Sequence, residues 1–189
     1  MYFGDDMTYE TTSHNTKKMI ETAFKEAVCE KPLSKVTVSE IIMKCGINRK
    51  TFYYHFDDIY ALLKWTLEQE AINVVKGFDL LTELDEAIYF IMDYVEKNED
   101  FLRNVYFSVG REELKRFFYN DFVNIVTNIF VMKIKINNVD MDDDFKAFLI
   151  DFYSEAIAGV LLDWIVSYPT SDKDKTVKYI STIINNAIK

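Results

Sequence analysis

Residues that turn or cross-link a chain are scarce here. Five glycines and two prolines in 189 residues are too few for the many tight turns of an all-β fold. Two cysteines, Cys29 and Cys45, exclude a disulfide framework. Both fall at apolar positions of predicted helices and read as small buried hydrophobes in a reducing compartment. The two histidines, His14 and His55, stand beside no cysteine or carboxylate at metal-ligand spacing. No glycine-rich phosphate loop and no G-x-S-x-G is present. No apolar run is long enough to span a bilayer and no signal peptide is recognisable. The expectation is a cytoplasmic protein without cofactor, metal site or membrane partner.

Acidic residues abound, yet they build no catalytic pattern. Paired carboxylates fall on helix faces expected to be solvated, so an enzyme is not indicated. Asp140-x-Asp142-x-Asp144, with Asp151 at the twelfth position, imitates a calcium loop. Its sixth position is Phe145, where that loop needs glycine. An acidic helix start favoured by the helix dipole explains the run better.

What the chain does have is core material: 49% hydrophobic and 15% aromatic residues, enough to leave no long disordered tract. The length suits one large domain, or a small one fused to a medium one. The organising stretch runs from Lys35 to Phe56, KVTVSEIIMKCGINRKTFYYHF. Thr37 and Glu40 have the spacing of a capping box. The helix they open is expected to bury Ile41, Ile42 and Cys45 and to stop at Gly46, which tolerates the left-handed end conformation. Ile47 follows as a hinge, and Asn48 is a good N-cap for a second short helix. Two short helices joined around a glycine describe a helix-turn-helix.

On the second helix Phe52 and Phe56 share a face, taken as packed inward. Lys50 and Tyr54 lie nearly opposite, flanked by Thr51 and Tyr53. Arg49 and Lys50 occupy the first turn, where the dipole alone favours acids; cations there suit a docking polyanion. The other reading is a solvated N-terminus on an ordinary helical hairpin, and the bare pattern does not separate the two.

The run T-V-x-x-I (Thr37 to Ile41), then Gly46-Ile47, then R-x-T-F-Y-Y-H-F (Arg49 to Phe56) closely resembles the DNA-binding signature of the tetracycline-repressor (TetR/AcrR) family of bacterial regulators. Asp57-Asp58-Ile59-Tyr60-Ala61-Leu62-Leu63 looks more like the branch that includes the activator of the dihydroxyacetone-kinase operon. The likeness covers residues 15–67, roughly a quarter of the chain. It implies an all-α protein: an N-terminal three-helix helix-turn-helix head over 13–58, and a helical bundle body over 59–189 for ligand sensing and dimerisation. Lys50, Thr51, Tyr53 and Tyr54 become candidates for base or groove contact. Thr37, Arg49 and His55 become candidates for phosphate, and Asn48 belongs to the same surface. Ile59 stands where the family usually has a lysine near the DNA backbone, so that contact is not carried over.

Net charge of −9 argues against DNA until its distribution is read. Residues 13–56 hold eight Lys/Arg against four Asp/Glu, and residues 57–189 hold fourteen against twenty-four. A basic head on an acidic body is the footprint of a DNA reader. Residues 1–12 are acidic and unpatterned, and are expected to be a mobile arm without minor-groove contacts. A first helix over 15–30 carries Met19, Ile20, Ala23, Phe24, Ala27 and Val28 on one stripe and stops at Pro32. Lys17 and Lys18 at its start either meet phosphate or are solvated.

After the head, Asp57 or Asp58 caps a helix expected to reach Phe78. Further helices are expected over 82–97, 99–109, 111–135 and 144–167, with a last one opened by Ser171 and Asp174. The 144–167 helix is apolar nearly all round, so it must be covered on more than one side. A second subunit is one cover, with Ala156 and Gly159 permitting close approach. Complete burial within the monomer is the other. The resemblance implies a homodimer through the last two helices, with Phe152, Ala156, Gly159, Val160, Ile180 and Ile184 as candidates, and therefore a near-palindromic double-stranded operator. The body's aromatics are more simply core than pocket. A small-molecule effector or a co-regulator protein remains open, as does a helical interaction or ligand-binding module that has lost DNA reading.

Overall fold

The computed structural model of the protein describes the backbone of residues 5–167 and 172–188, with side chains from residue 12 onward. Among these residues every regular element is helical. Two compact units divide the chain, the first ending at Leu67 and the second starting at Glu68. The division expected from the sequence lies one helix earlier, at 58/59.

The first unit opens with α1, Asp5–Glu30. The helix therefore covers most of the stretch expected as a mobile arm; residues 1–4 of that stretch lie outside the described residues. No proline or glycine interrupts 5–30, so nothing in the sequence stops the helix from extending backward from its packed end. Ile20, Ala23, Phe24, Ala27 and Val28 are buried. Met19 and Cys29 are exposed, contrary to expectation, because each lies one residue, or about 100°, off that stripe.

Beyond Pro32, a 3₁₀ turn (Leu33–Lys35) places Leu33 under the helices. Next comes α2, Val38–Cys45, whose N-cap Thr37 accepts from the Glu40 N–H at 3.3 Å. The Glu40 carboxylate accepts from Lys31 Nζ at 2.7 Å. Gly46 ends α2 at φ 67°, the left-handed cap the sequence calls for. Ile41 is fully buried, while Ile42 and Cys45 are only half-buried. Asn48 then caps α3, Arg49–His55, accepting from the Thr51 N–H at 2.8 Å. Phe52 and Phe56 are buried as a pair. Asp58 caps α4, Ile59–Leu67, through the Ala61 N–H at 2.7 Å.

The second unit begins with a π-helical turn, Glu68–Ile72, followed by a short α-helical turn, Asn73–Val75. A single regular helix to Phe78 was expected. Leu62, Leu63, Thr66 and Leu67 are buried, and a regular helix would continue that face at 70, 73 and 74. The buried residues are instead Ala71, Ile72 and Val75. The wider turn takes up that one-residue offset.

Four more helices follow in close succession: α5 Leu84–Lys97, α6 Glu99–Val109, α7 Arg111–Asn137 and α8 Asp143–Ser167. Asp142 Oδ1 accepts from the Asp144 and Phe145 N–H groups, so the acidic run is a helix start. Among the described residues no group of three or more His, Cys, Asp or Glu is placed to hold a metal. No described helix is long and apolar enough to cross a membrane. The last helix, α9 Lys173–Asn186, is capped by Asp172 accepting from the Lys175 N–H at 3.0 Å. This replaces the expected start at Ser171, which lies outside the described residues together with Pro169. Leu84, Val126, Ile129, Phe130, Ile184 and Ile188 form a buried cluster, with Leu149, Tyr153 and Ile157 of α8 packed against it.

Candidate nucleic-acid interface

Burial of Phe52 and Phe56 fixes which side of α3 can meet a partner. Phe52 is fully buried, and its ring lies 6.0 Å from that of Phe56, which in turn packs on Trp65 of α4 at 5.6 Å. The opposite side carries Lys50 and Tyr54, the latter 64% exposed, flanked by Tyr53, 47% exposed, and by exposed Arg49. These four exposed side chains leave the same short helix.

Thr51 and Asn48 turn toward one another instead. Asn48 Oδ1 accepts from both the Thr51 N–H and the Thr51 hydroxyl. Thr37 is likewise committed to its cap. These three expected contact residues build the helix starts from which others project. His55 is half-buried, its ring 4.9 Å from Tyr54 and 6.4 Å from Phe56.

The head's cations are not equally available. Lys44 pairs with Glu30 at 3.2 Å and Glu26 at 3.7 Å, and Lys31 pairs with Glu40. Lys18 pairs at 2.7 Å with Glu21, which is 3% exposed. The Lys17 and Lys18 ammonium groups lie over the Trp65 ring at 5.6 and 5.3 Å. The aromatic ring, and for Lys18 the buried carboxylate as well, fix where these two ammonium groups stand, while the Lys18 side chain stays partly in solvent. Lys50 makes no ion pair among the described residues, and Arg49 Nη2 donates to a neutral acceptor, Ser39 Oγ, at 2.6 Å. Arg49 and Lys50 thus place two cations without a carboxylate partner among the described residues at the start of α3. Ser39 escaped the sequence reading because nothing in a ten-residue separation pairs it with Arg49.

Burial first, and the Lys17 charge second, hold His55 below its ordinary value of 6.5. The folded head resists a proton that the unfolded chain accepts. The His55 contribution is therefore stability present above pH 6.5 and lost as the pH falls below it. We expect the urea midpoint to decline between about pH 7 and pH 5, and His55→Gln to remove part of that decline. An identical decline in the variant would contradict the assignment.

The candidate dimer residues separate into two groups. Phe152 is 56% exposed, and Ala156 and Val160 are exposed beside half-buried Gly159. Phe148 at 61% and Phe145 extend the same stripe of α8. The sequence does not mark them as exposed, because a helix apolar all round hides which side its own core takes. Ile180 is half-buried against the core cluster, and Ile184 is 4% exposed inside it. Ile184 is therefore a core residue. The exposed apolar side chains of α9 are Tyr179 and Ile183.

Comparison with known proteins gives a consistent result. The family described as the C-terminal region of transcriptional regulators (TetR type) matches residues 82–188. The family of bacterial regulatory proteins, tetR family, matches residues 22–64. The HTH-type dhaKLM operon transcriptional activator DhaS of Lactococcus lactis subsp. lactis (strain IL1403) is 22% identical over 151 residues, covering 80% of each chain. The solved structure of the dihydroxyacetone kinase operon activator DhaS superposes with TM-score 0.72 at 21% identity, over 92% of this chain and 96% of that one. A TetR transcriptional regulator from Streptococcus agalactiae 2603V superposes with TM-score 0.63 at 22% identity, over 95% and 99%.

Proposed function

Since this chain belongs to the TetR family and is a DNA-binding transcriptional regulator rather than an enzyme, we propose that it acts as a homodimer on a near-palindromic operator. The observation that carries the reading is the outward set on α3. Arg49, Lys50, Tyr53 and Tyr54 project from a helix anchored by buried Phe52 and Phe56. Lys50 and Tyr54 reach base edges or groove walls, and Arg49 meets phosphate. Asn48, Thr51 and Thr37 hold the helix starts in register.

A second copy covers the exposed stripe of α8. Phe145, Phe148, Phe152, Ala156 and Val160 face away from the protomer's own core. Two of the acids near this stripe, Glu155 and Asp163, are neutralised by cations of α7, which lowers the repulsion from a like-charged copy. Asp163 pairs with Arg111, Glu155 with Lys115, and Asp151 accepts from the Tyr119 hydroxyl. An effector, a small molecule or a co-regulator protein, acts through the body in the cytoplasm. Footprinting on the DNA flanking the gene tests the two-fold arrangement. Two protected half-sites about one helical turn or a multiple apart are expected. A single half-site would overturn the homodimer.

A further inference from the structure

We propose that Ser39 is a positioning residue for the DNA backbone: its hydroxyl holds the Arg49 guanidinium in place without neutralising it. The proposal rests on the operator-binding reading above. Lys31 and Lys44 are each held by carboxylates, and Lys18 by Glu21. Arg49 differs. Its Nη2 donates at 2.6 Å to Ser39 Oγ, an acceptor with no charge. A carboxylate in that place would fix the guanidinium and cancel the charge a phosphate requires. Glu40, the adjoining residue, does that to Lys31.

Both ends of the link are themselves fixed. Ser39 stands in the first turn of α2 behind the Thr37 cap, and Arg49 is the first residue of α3 behind the Asn48 cap. The bond therefore ties together the starts of the two helices of the helix-turn-helix. A long exposed side chain normally loses rotamer freedom when it meets a partner. Arg49 has surrendered part of that freedom before DNA arrives, so the surface is preorganised for one phosphate.

The test measures anisotropy of the full-length protein on duplexes tiled across the DNA flanking its gene, at several salt concentrations. Arg49→Ala is expected to weaken binding and to lower the salt slope by about 0.9 for each head engaged. Ser39→Ala is expected to weaken it by about two- to tenfold per head, the cost of ordering one freed side chain. Ser39→Thr keeps the hydroxyl and should bind like the wild type. Ser39→Asp should bind more weakly than Ser39→Ala, although an acid in a first helical turn suits the dipole and should leave the melting temperature equal or higher. A purely structural role would reverse that order. In an Arg49→Ala background, Ser39→Ala should cost nothing further. An equal cost in both backgrounds would overturn the proposal, because Ser39 would then act independently of Arg49. Wild-type binding with a cost at Arg49 and none at Ser39 would overturn it alone. A wild type that binds no tile would overturn the operator reading and the proposal with it.

Discussion

Phe152→Asp is expected to convert the protein to monomers and to lower operator affinity by about 10²–10⁴-fold, the loss that follows when two linked heads bind separately. Phe152 sits near the middle of the exposed stripe of α8, its ring 6.2 Å from that of Phe148 in a stacked pair. Covered by a second copy, an aspartate there would be buried without a partner, a large cost that has no counterpart in the monomer. Lys115 and Arg111 are already paired with Glu155 and Asp163 within the protomer, and Asp151 keeps its charge beside the Tyr119 hydroxyl. No unpaired cation in that set waits to receive the new charge. Light scattering should report one chain per particle, and far-ultraviolet circular dichroism should stay helical because the side chain lies outside the protomer core. Phe152→Leu should remain dimeric. A dimeric Phe152→Asp protein would remove the α8 stripe from the interface. Ile184→Asp should instead unfold the body, since Ile184 lies in its core cluster.

Phe52→Ala should remove DNA binding by a different route. Its side chain is fully buried, against Phe56 on the same face of α3, and Phe56 packs on Trp65. Truncating such a phenylalanine costs about 3–5 kcal/mol, combining lost transfer energy with the cavity left behind. Whole domains are stable by only about 5–15 kcal/mol, so a head of this size loses most of its reserve. Urea unfolding followed by the fluorescence of Trp65 in a Trp164→Phe background should show a midpoint shifted strongly downward, and operator binding should fall with the fraction of folded head. Phe52→Leu, which nearly preserves volume, should lose far less. A midpoint within error of the wild type would mean that Phe52 does not anchor α3.

How much of this was legible in the sequence depended on whether local chemistry or tertiary packing decided the outcome. Thr37, Gly46, Asn48 and Asp58 act within three or four residues of themselves, and the caps and turn they imply are present. Glu99–Val109 is bounded by Asn98 and Gly110, and its limits follow from the pattern. The π-helical turn at Glu68–Ile72 could not be read, since EQEAI contains only ordinary helix formers. Its cause is a one-residue offset between two buried faces, visible only once burial is known. Lys17 and Lys18 read as surface lysines because Trp65, which captures them, stands far away in sequence. Ile184 was placed outward for a related reason. The periodicity of α9 gives a stripe, while its neighbours decide that Ile184 points inward and that Tyr179 and Ile183 stay exposed.

On α3 the sequence carried more, because Phe52 and Phe56 declare the inner face and every other side chain follows by rotation. It did not separate Lys50 and Arg49 from the other cations of the head. Charge counts treat eight Lys/Arg alike, whereas the fold commits Lys31 and Lys44 to ion pairs with acids.

The most direct test of the account is fluorescence anisotropy of wild type and Lys50→Ala on duplexes tiled across the DNA flanking the gene, with unrelated DNA as competitor and salt titrated. Saturable binding to one near-palindromic tile, weakening steeply with salt, is the expected result. Lys50→Ala should reduce the preference for that tile over the competitor, as expected when a base-reading contact is lost. Equal, weak binding to every tile by both proteins would contradict it.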